Sequence, residues 1–110
     1  MFVERHYDIE RDFRKLKRYP APEDSLDKWE RLFCAKGISE TPAIEEYPGF
    51  GGARIFKARV VPMKENIGKS KGYRVIFQVC TDDLCKILVF TRHTVYKTEA
   101  ELITIIKSRF

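Results

Sequence analysis

Three short apolar runs follow one another in the second half of the chain and constrain the fold more than any other feature. They read FKARVV, GYRVIFQV and KILVF, and they are rich in β-branched and aromatic residues. A lysine-rich loop separates the first two runs, and the short turn CTDDLC separates the last two. Apolar runs of this length between turn signals are typical of successive strands. We therefore predict strands at 54–61, 73–80 and 86–92, the last two joined as an antiparallel hairpin.

The first two of these strands carry cations that a hydrophobic core does not need. Side chains alternate in direction along a strand, so Phe56 and Ala58 share one face while Lys57 and Arg59 share the other. Arg74 interrupts the apolar run of the next strand. Cations on one side of a small sheet, with a core on the other, indicate a site for an anion.

The first half of the chain predicts a short strand at 2–6 and two amphipathic helices. The first helix begins after Asp8, a good N-cap, and ends at the segment YPAP, because proline does not continue a helix. Many of its other positions are basic, which is typical of a solvated face but would also suit contact with a phosphate backbone. The second helix begins at Asp24 or Ser25 and ends at Gly37.

The remaining segments complete the predicted order. Residues 38–53 contain two prolines and three glycines without a sustained period, so we expect a connecting loop. Thr98 and Glu101 have capping-box spacing and predict a last helix at 99–108. The chain therefore predicts an α+β fold, in which an N-terminal helical hairpin and a C-terminal helix pack on a small, mostly antiparallel, twisted sheet.

Size and composition predict one domain, covering 1–110, with a hydrophobic core of its own. The formal net charge of +5 suits a polyanionic partner, although an ordinary basic surface explains it equally well. Three cysteines without a CxxC pair indicate neither a disulfide framework nor a zinc site. No run approaches the roughly 20 apolar residues of a membrane span, and we expect a cytoplasmic protein that contacts no membrane.

The groups available for chemistry are cationic and aromatic. The chain has no HExxH motif and no P-loop, and its carboxylates cluster at helix starts and turns, so we expect neither a catalytic metal nor a cofactor. Cleavage of RNA without a metal requires a base for the 2′-OH, cations for the non-bridging oxygens and an acid for the 5′ oxygen. If the three strands are neighbours, one concave face can gather the candidates Lys57, Arg59, Lys69, Lys71, Arg74, Arg92, His93, Tyr96 and Lys97.

Four segments together resemble the type II toxins of the RelE/ParE superfamily, most closely its RelE- and HigB-like branch. They are FKARVV, the loop and strand GKSKGYRVIFQV, the strand KILVF and the ending VYKTEAELITII, within residues 50–110. The resemblance implies a RelE-like fold and endonucleolytic cleavage of mRNA in the ribosomal A site. It also implies a cognate antitoxin as protein partner, with operator DNA bound only through that antitoxin.

The resemblance also implies roles for particular residues. Lys57 and Arg59 match the basic pair on the family's strand, and Arg74 matches the GYR arginine that contacts the scissile phosphate. Arg92 and Tyr96 match the arginine in the acid role and the stacking tyrosine, although their spacing differs from that of RelE itself. The lysines Lys69, Lys71 and Lys97 are expected to bind RNA.

The identity of the general base stays open between two residues. Arg59 stands where RelE-like toxins often have lysine, and arginine does not lose its proton in proteins. Lys57 and His93 are left as candidates. We favour His93, because histidine is the side chain whose ordinary pKa lies nearest to neutral pH.

Two other functions are compatible with the same segments. A ParE-like protein would share the fold and inhibit DNA gyrase without nuclease activity. An inactive family member would bind RNA through the basic face without cutting it. Arg92, His93 and Tyr96 favour the nuclease, because ParE-like members generally lack the catalytic residues at this strand end.

Overall fold

In the computed structural model of the chain, which describes residues 1–65 and 72–110, three helices and a five-stranded mixed sheet form an α+β fold. The predicted fold class is confirmed at this level. In chain order the elements are β1 (Phe2–Arg5), α1 (Ile9–Lys15), α2 (Pro22–Glu40), β2 (Ile44–Glu46), β3 (Ile55–Val60), β4 (Tyr73–Val79), β5 (Leu84–Arg92) and α3 (Glu99–Lys107).

The strands lie in the order β1-β5-β4-β3-β2. β1 pairs in parallel with β5, and the other three pairs are antiparallel. The meander β3-β4-β5 therefore forms the centre of the sheet, and the two shortest strands lie at its edges. Short edge strands limit pairing with other chains.

A β-bulge interrupts the pairing of β4 with β5. Ile76 lies opposite Val89 and Phe77 lies opposite Ile87, so Leu88 is an extra residue on β5. An extra residue reverses the alternation of side chains beyond it. Residues of β5 after the bulge therefore point to the face opposite to the one that strict alternation predicts.

The helices cover both faces of the sheet. α1 and α2 pack on one face around an aromatic core in which Trp29 stacks on Phe33, with ring centroids 4.8 Å apart, and both rings contact Phe77. α3 covers the other face, where Leu102 and Ile106 are buried in a second apolar cluster. We call these the α1/α2 face and the α3 face.

The segment 38–53, expected to be a loop, contains regular structure. α2 bends at Gly37, which has a φ of 76°, and then continues to Glu40. Thr41 caps this end, because its hydroxyl donates to the Gly37 carbonyl at 2.6 Å. β2 follows at Ile44–Glu46 and pairs with β3. A strand of three residues is too short to show a period, so only pairing with β3 reveals it.

The helix boundaries also differ from those expected. α1 ends at Lys15, and α2 begins at Pro22 instead of Asp24 or Ser25. Proline suits the first turn of a helix, where its missing N–H has no partner in any case. The YPAP segment (residues 19–22) therefore starts α2, whereas α1 ends before it, at Lys15.

A buried ion pair holds α1, β5 and the end of the chain together. Asp12 receives two hydrogen bonds from the Arg109 guanidinium, at 2.8 and 3.0 Å. The Phe90 amide donates to the same carboxylate, and Arg109 donates to the Leu88 carbonyl. β1 pairs with β5 only as far as Ile87, so these side chains satisfy the edge of β5 where β1 has ended.

Among the described residues, no helix combines the length and apolarity needed to cross a membrane.

Candidate functional site

Three cations of the central strands lie on the α3 face. Arg59 on β3 is directly opposite Arg74 on β4, and Lys57 is opposite Ile76, a member of the α3-face cluster. Together they line a cavity of about 40 Å³. Within the described part of the chain, the guanidinium groups of Arg59 and Arg74 form no ion pair. Like charges directly opposite each other destabilise a sheet, so this pair favours binding of an anion.

Lys57 has partners that orient its ammonium group. Its Nζ lies 3.8 Å from a Glu45 carboxylate oxygen and 4.9 Å from the centroid of the Tyr47 ring. The Tyr47 hydroxyl in turn donates to Glu99 at the start of α3. Burial, followed by the bond to Glu99, raises the pKa of Tyr47. Tyr47 therefore connects the wall of the site beside β3 with the helix that covers this face.

Glu45 and Tyr47 were not among the residues expected at the site. They lie on and just after β2, in the segment predicted to be a loop. What places them at the site is the register of β2 on β3, in which Glu45 is directly opposite Lys57. Register between distant segments is a tertiary property, so residue spacing along the chain does not indicate it.

A second cavity, of about 90 Å³, adjoins the first at Arg74. Its lining includes Thr91 and Arg92 at the end of β5 and three residues of the following turn, His93, Tyr96 and Lys97. His93 and Lys97 are exposed, and Tyr96 is half-buried. We call the combined feature the cationic groove and define it by Lys57, Arg59, Arg74, His93, Tyr96 and Lys97.

Tyr96 is held with its hydroxyl protonated at neutral pH. Burial and the nearby Asp12 carboxylate raise the pKa of Tyr96 to about 12. The Lys15 ammonium lies 5.5 Å from the centroid of its ring. The phenol can therefore donate a hydrogen bond to a ligand, and a base can stack only on ring surface that Lys15 leaves uncovered.

Arg92 differs from the other expected site residues, because its guanidinium points to the α1/α2 face. It lies opposite Tyr73 in the register and is only 7% exposed. The guanidinium carbon is 4.0 Å from the ring centroid of Tyr19 and 4.7 Å from that of Tyr73. Its Nη1 donates to Glu65 at 2.6 Å. The structure thus brings Lys57, Arg59, Arg74, His93, Tyr96 and Lys97 together. Arg92 also contributes to the lining of the second cavity, but its guanidinium contacts Tyr19 and Tyr73 on the other face.

The partners of Arg92 define its ionisation. Burial disfavours the charged guanidinium, but the hydrogen bond and charge of Glu65 outweigh it and raise the pKa of Arg92. A cation stacked between two tyrosines and paired with a carboxylate stabilises the packing of the 61–65 segment against β5. The predicted role of Arg92 as an acid would require this cluster to open.

Two of the expected RNA-binding residues, Lys69 and Lys71, lie outside the described residues. Across residues 1–65 and 72–110, no group of three or more His, Cys, Asp or Glu side chains is arranged to hold a metal ion.

In comparisons with known proteins, no family model matches the chain, no curated protein is significantly similar to it, and no solved structure matches it. Its function is therefore inferred from the cationic groove and from the resemblance of its strand segments.

Proposed function

We propose that the protein is the toxin of a type II toxin–antitoxin system, a metal-independent endoribonuclease that cleaves mRNA on the ribosome. The observation that carries this proposal is the Arg59–Arg74 pair, two guanidinium groups directly opposite each other on one face with Lys57 beside them. Guanidinium groups bind phosphate oxygens through paired hydrogen bonds. A phosphodiester bound there would relieve the repulsion between the two arginines.

The groove offers proton-transfer groups on both sides of this anion site. Arg74 borders both cavities, with Lys57 in one and His93 in the other. An in-line attack places the nucleophile and the leaving group on opposite sides of phosphorus. We assign His93 as the base and Lys57 as the acid, because an acid is still needed when Arg92 is held on the other face.

The reaction then proceeds by one bond exchange at phosphorus. His93 takes the proton of the 2′-OH, and the O2′–P bond forms while the P–O5′ bond breaks. Arg59 and Arg74 stabilise charge on the non-bridging oxygens, and Lys57 donates a proton to the 5′ oxygen. The product is a 2′,3′-cyclic phosphate, which water can open to a 3′ phosphate. Tyr96 and Lys97 would hold the neighbouring nucleotides.

The proposed partners follow from the small size of the groove. Cavities of about 40 and 90 Å³ have room only for a phosphodiester and its immediate neighbours. We therefore infer that the ribosomal A site aligns the rest of the message. A cognate antitoxin would cover the cationic groove, and operator DNA would be bound through that antitoxin. A RelE-like arrangement, with α1 and α2 as the helical hairpin, and a cytoplasmic location belong to the same proposal.

Cleavage of a defined mRNA on purified ribosomes, mapped by primer extension, tests the proposal. We expect Arg74→Ala to reduce the cleavage rate by about 100-fold or more, as loss of a charge-stabilising donor does in other enzymes. The matched control is Arg31→Ala, which removes an exposed arginine of α2. Absence of cleavage by the wild-type protein would refute the nuclease, and cleavage by Arg74→Ala at the wild-type rate would refute the proposed role of the Arg59–Arg74 pair. In the same assay, full activity of His93→Ala would eliminate histidine as the base.

The orientation of Arg92 favours one alternative, a ParE-like inhibitor of DNA gyrase. That function needs no general acid in the groove, and the arginine matched to the acid role points to the other face. A supercoiling assay with purified gyrase separates the two functions. Inhibition of gyrase without cleavage on ribosomes would replace the proposed nuclease with the inhibitor.

A further inference from the structure

The segment around α1 carries a dense, exposed positive surface outside the cationic groove. Only one exposed carboxylate, Glu10, lies between residues 9 and 18. Asp12 is 1% exposed and is occupied by Arg109 and the Phe90 amide. We call this the α1 basic surface and define it by Arg11, Arg14, Lys15, Lys17 and Arg18, all exposed.

Intramolecular contacts explain only part of this charge. Arg11 lies 3.9 Å from Asp8, a weak surface pair. The helix dipole favours Arg14 and Lys15 in the last turn of α1. In the described part of the chain, Arg14, Lys15, Lys17 and Arg18 form no ion pair. Their mutual repulsion is a cost that binding of a polyanion removes.

Two cations of the α1 basic surface contact aromatic residues in or near the cationic groove. The Lys15 ammonium lies over the ring of Tyr96, which lines the groove. The Arg18 guanidinium lies over Tyr19, 5.0 Å from its centroid, and donates to the Thr94 hydroxyl at 3.2 Å. Contacts with rings and a hydroxyl orient these two cations without neutralising them. One anionic strand could therefore pass from the groove onto α1.

We propose that the α1 basic surface binds the phosphate backbone of RNA, independently of sequence, beside the cleavage groove. Phosphate contacts of this kind position a protein on a nucleic acid. Stable membrane binding requires an apolar signal beside a basic cluster, and the exposed residues from Glu10 to Arg18 include no apolar side chain. An acidic protein interface of useful affinity would likewise need an apolar centre. The proposed nuclease function supplies only the choice of RNA over DNA.

Binding of a labelled 16-base-pair RNA hairpin, followed by fluorescence anisotropy at several salt concentrations, tests this inference. The variant R14Q/K15Q/K17Q removes three charges from the α1 basic surface. The control K28Q/R31Q/K36Q removes three exposed charges from α2 and changes the net charge equally. Each phosphate contact contributes about 0.9 to the slope of log K against log salt. We expect the α1 variant to lower that slope by about 2–3 and the affinity at least tenfold, with the control within twofold of wild type.

Equal losses in the two triple variants would show an effect of net charge alone and overturn the inference, as would no loss in the α1 variant. A DNA duplex of equal length and phosphatidylserine vesicles are the competing ligands. Tighter α1-dependent binding to either would overturn the assignment to RNA. If wild-type protein does not cleave mRNA on ribosomes but shows α1-dependent RNA binding, the proposed nuclease fails and this inference stands. Cleavage without α1-dependent binding would support the nuclease and overturn this inference.

Discussion

At the scale of single residues, Gly72 shows that a residue of an apparent functional motif can be required by packing. A β-carbon added at Gly72 would lie 2.3 Å from the Val60 carbonyl oxygen and 2.8 Å from Cδ of Pro62. Backbone on one side and a rigid ring on the other leave no room for it. Gly72 precedes Tyr73 and Arg74 in the GYR segment, so it permits the close approach of the two strands that present Arg59 and Arg74.

We expect Gly72→Ala to lower the free energy of unfolding by about 1–3 kcal/mol, the usual cost of overpacking. Urea denaturation followed by circular dichroism measures it. Gly52→Ala is the matched control, because a β-carbon there meets nothing within 4 Å, and we expect a change within about 0.5 kcal/mol. Equal stability of the two variants would contradict the close approach at Gly72.

At the scale of the elements, the pairing of β3 with β4 places two arginines face to face, and this arrangement separates stability from function. Residues that serve the fold lower its stability when they are removed. The Arg59–Arg74 pair is expected to behave in the opposite way, because the two charges repel each other across the strands.

We expect Arg74→Gln to leave the free energy of unfolding unchanged or to raise it by up to about 1 kcal/mol, while cleavage is lost. Thermal unfolding at low and high salt measures the effect, and the gain should shrink as salt screens the repulsion. Arg92→Gln is the contrasting variant: it removes a buried cation with a carboxylate partner, and we expect a loss of about 3 kcal/mol. Destabilisation of similar size in both variants would show that Arg74 has a structural role.

At the scale of the whole molecule, the Asp12–Arg109 pair connects residues that are 97 positions apart. It joins α1 to the residues just after α3 and also satisfies the free edge of β5. Asp12 is also near enough to Tyr96 to raise its pKa. One buried pair therefore stabilises the fold and the wall of the cationic groove together.

We expect Asp12→Asn to lower the free energy of unfolding by about 3 kcal/mol, because it removes the charge of the carboxylate that is paired with the buried Arg109 guanidinium and leaves only Asp8, 4.0 Å away, as a counter-charge. Urea denaturation measures this loss, and Glu10→Gln, an exposed carboxylate of the same helix, should stay within about 0.5 kcal/mol of wild type. A loss no greater in Asp12→Asn than in Glu10→Gln would show that the ion pair contributes nothing to stability.

Local sequence patterns determined the central strands, the last helix and the face on which Lys57 and Arg59 lie. Alternation of side chains and the Thr98 cap act over a few residues, so these features can be predicted from neighbours along the chain. The Thr98 hydroxyl does accept a hydrogen bond from the Glu101 amide, as its spacing indicated. β2 was not predicted, because its three residues form a strand only through their pairing with β3.

Only the tertiary structure decided which cations lie side by side on the same face of the sheet. Strict alternation along β5 would have directed Arg92 to the face of Arg74, and the single extra residue at the bulge turns it to the opposite face, between Tyr19 and Tyr73. The register that sets Arg59 against Arg74, and Glu45 against Lys57, likewise joins segments that are distant along the chain. Periodicity specifies the face of a residue within its own strand, whereas register and bulges depend on how the strands pack together.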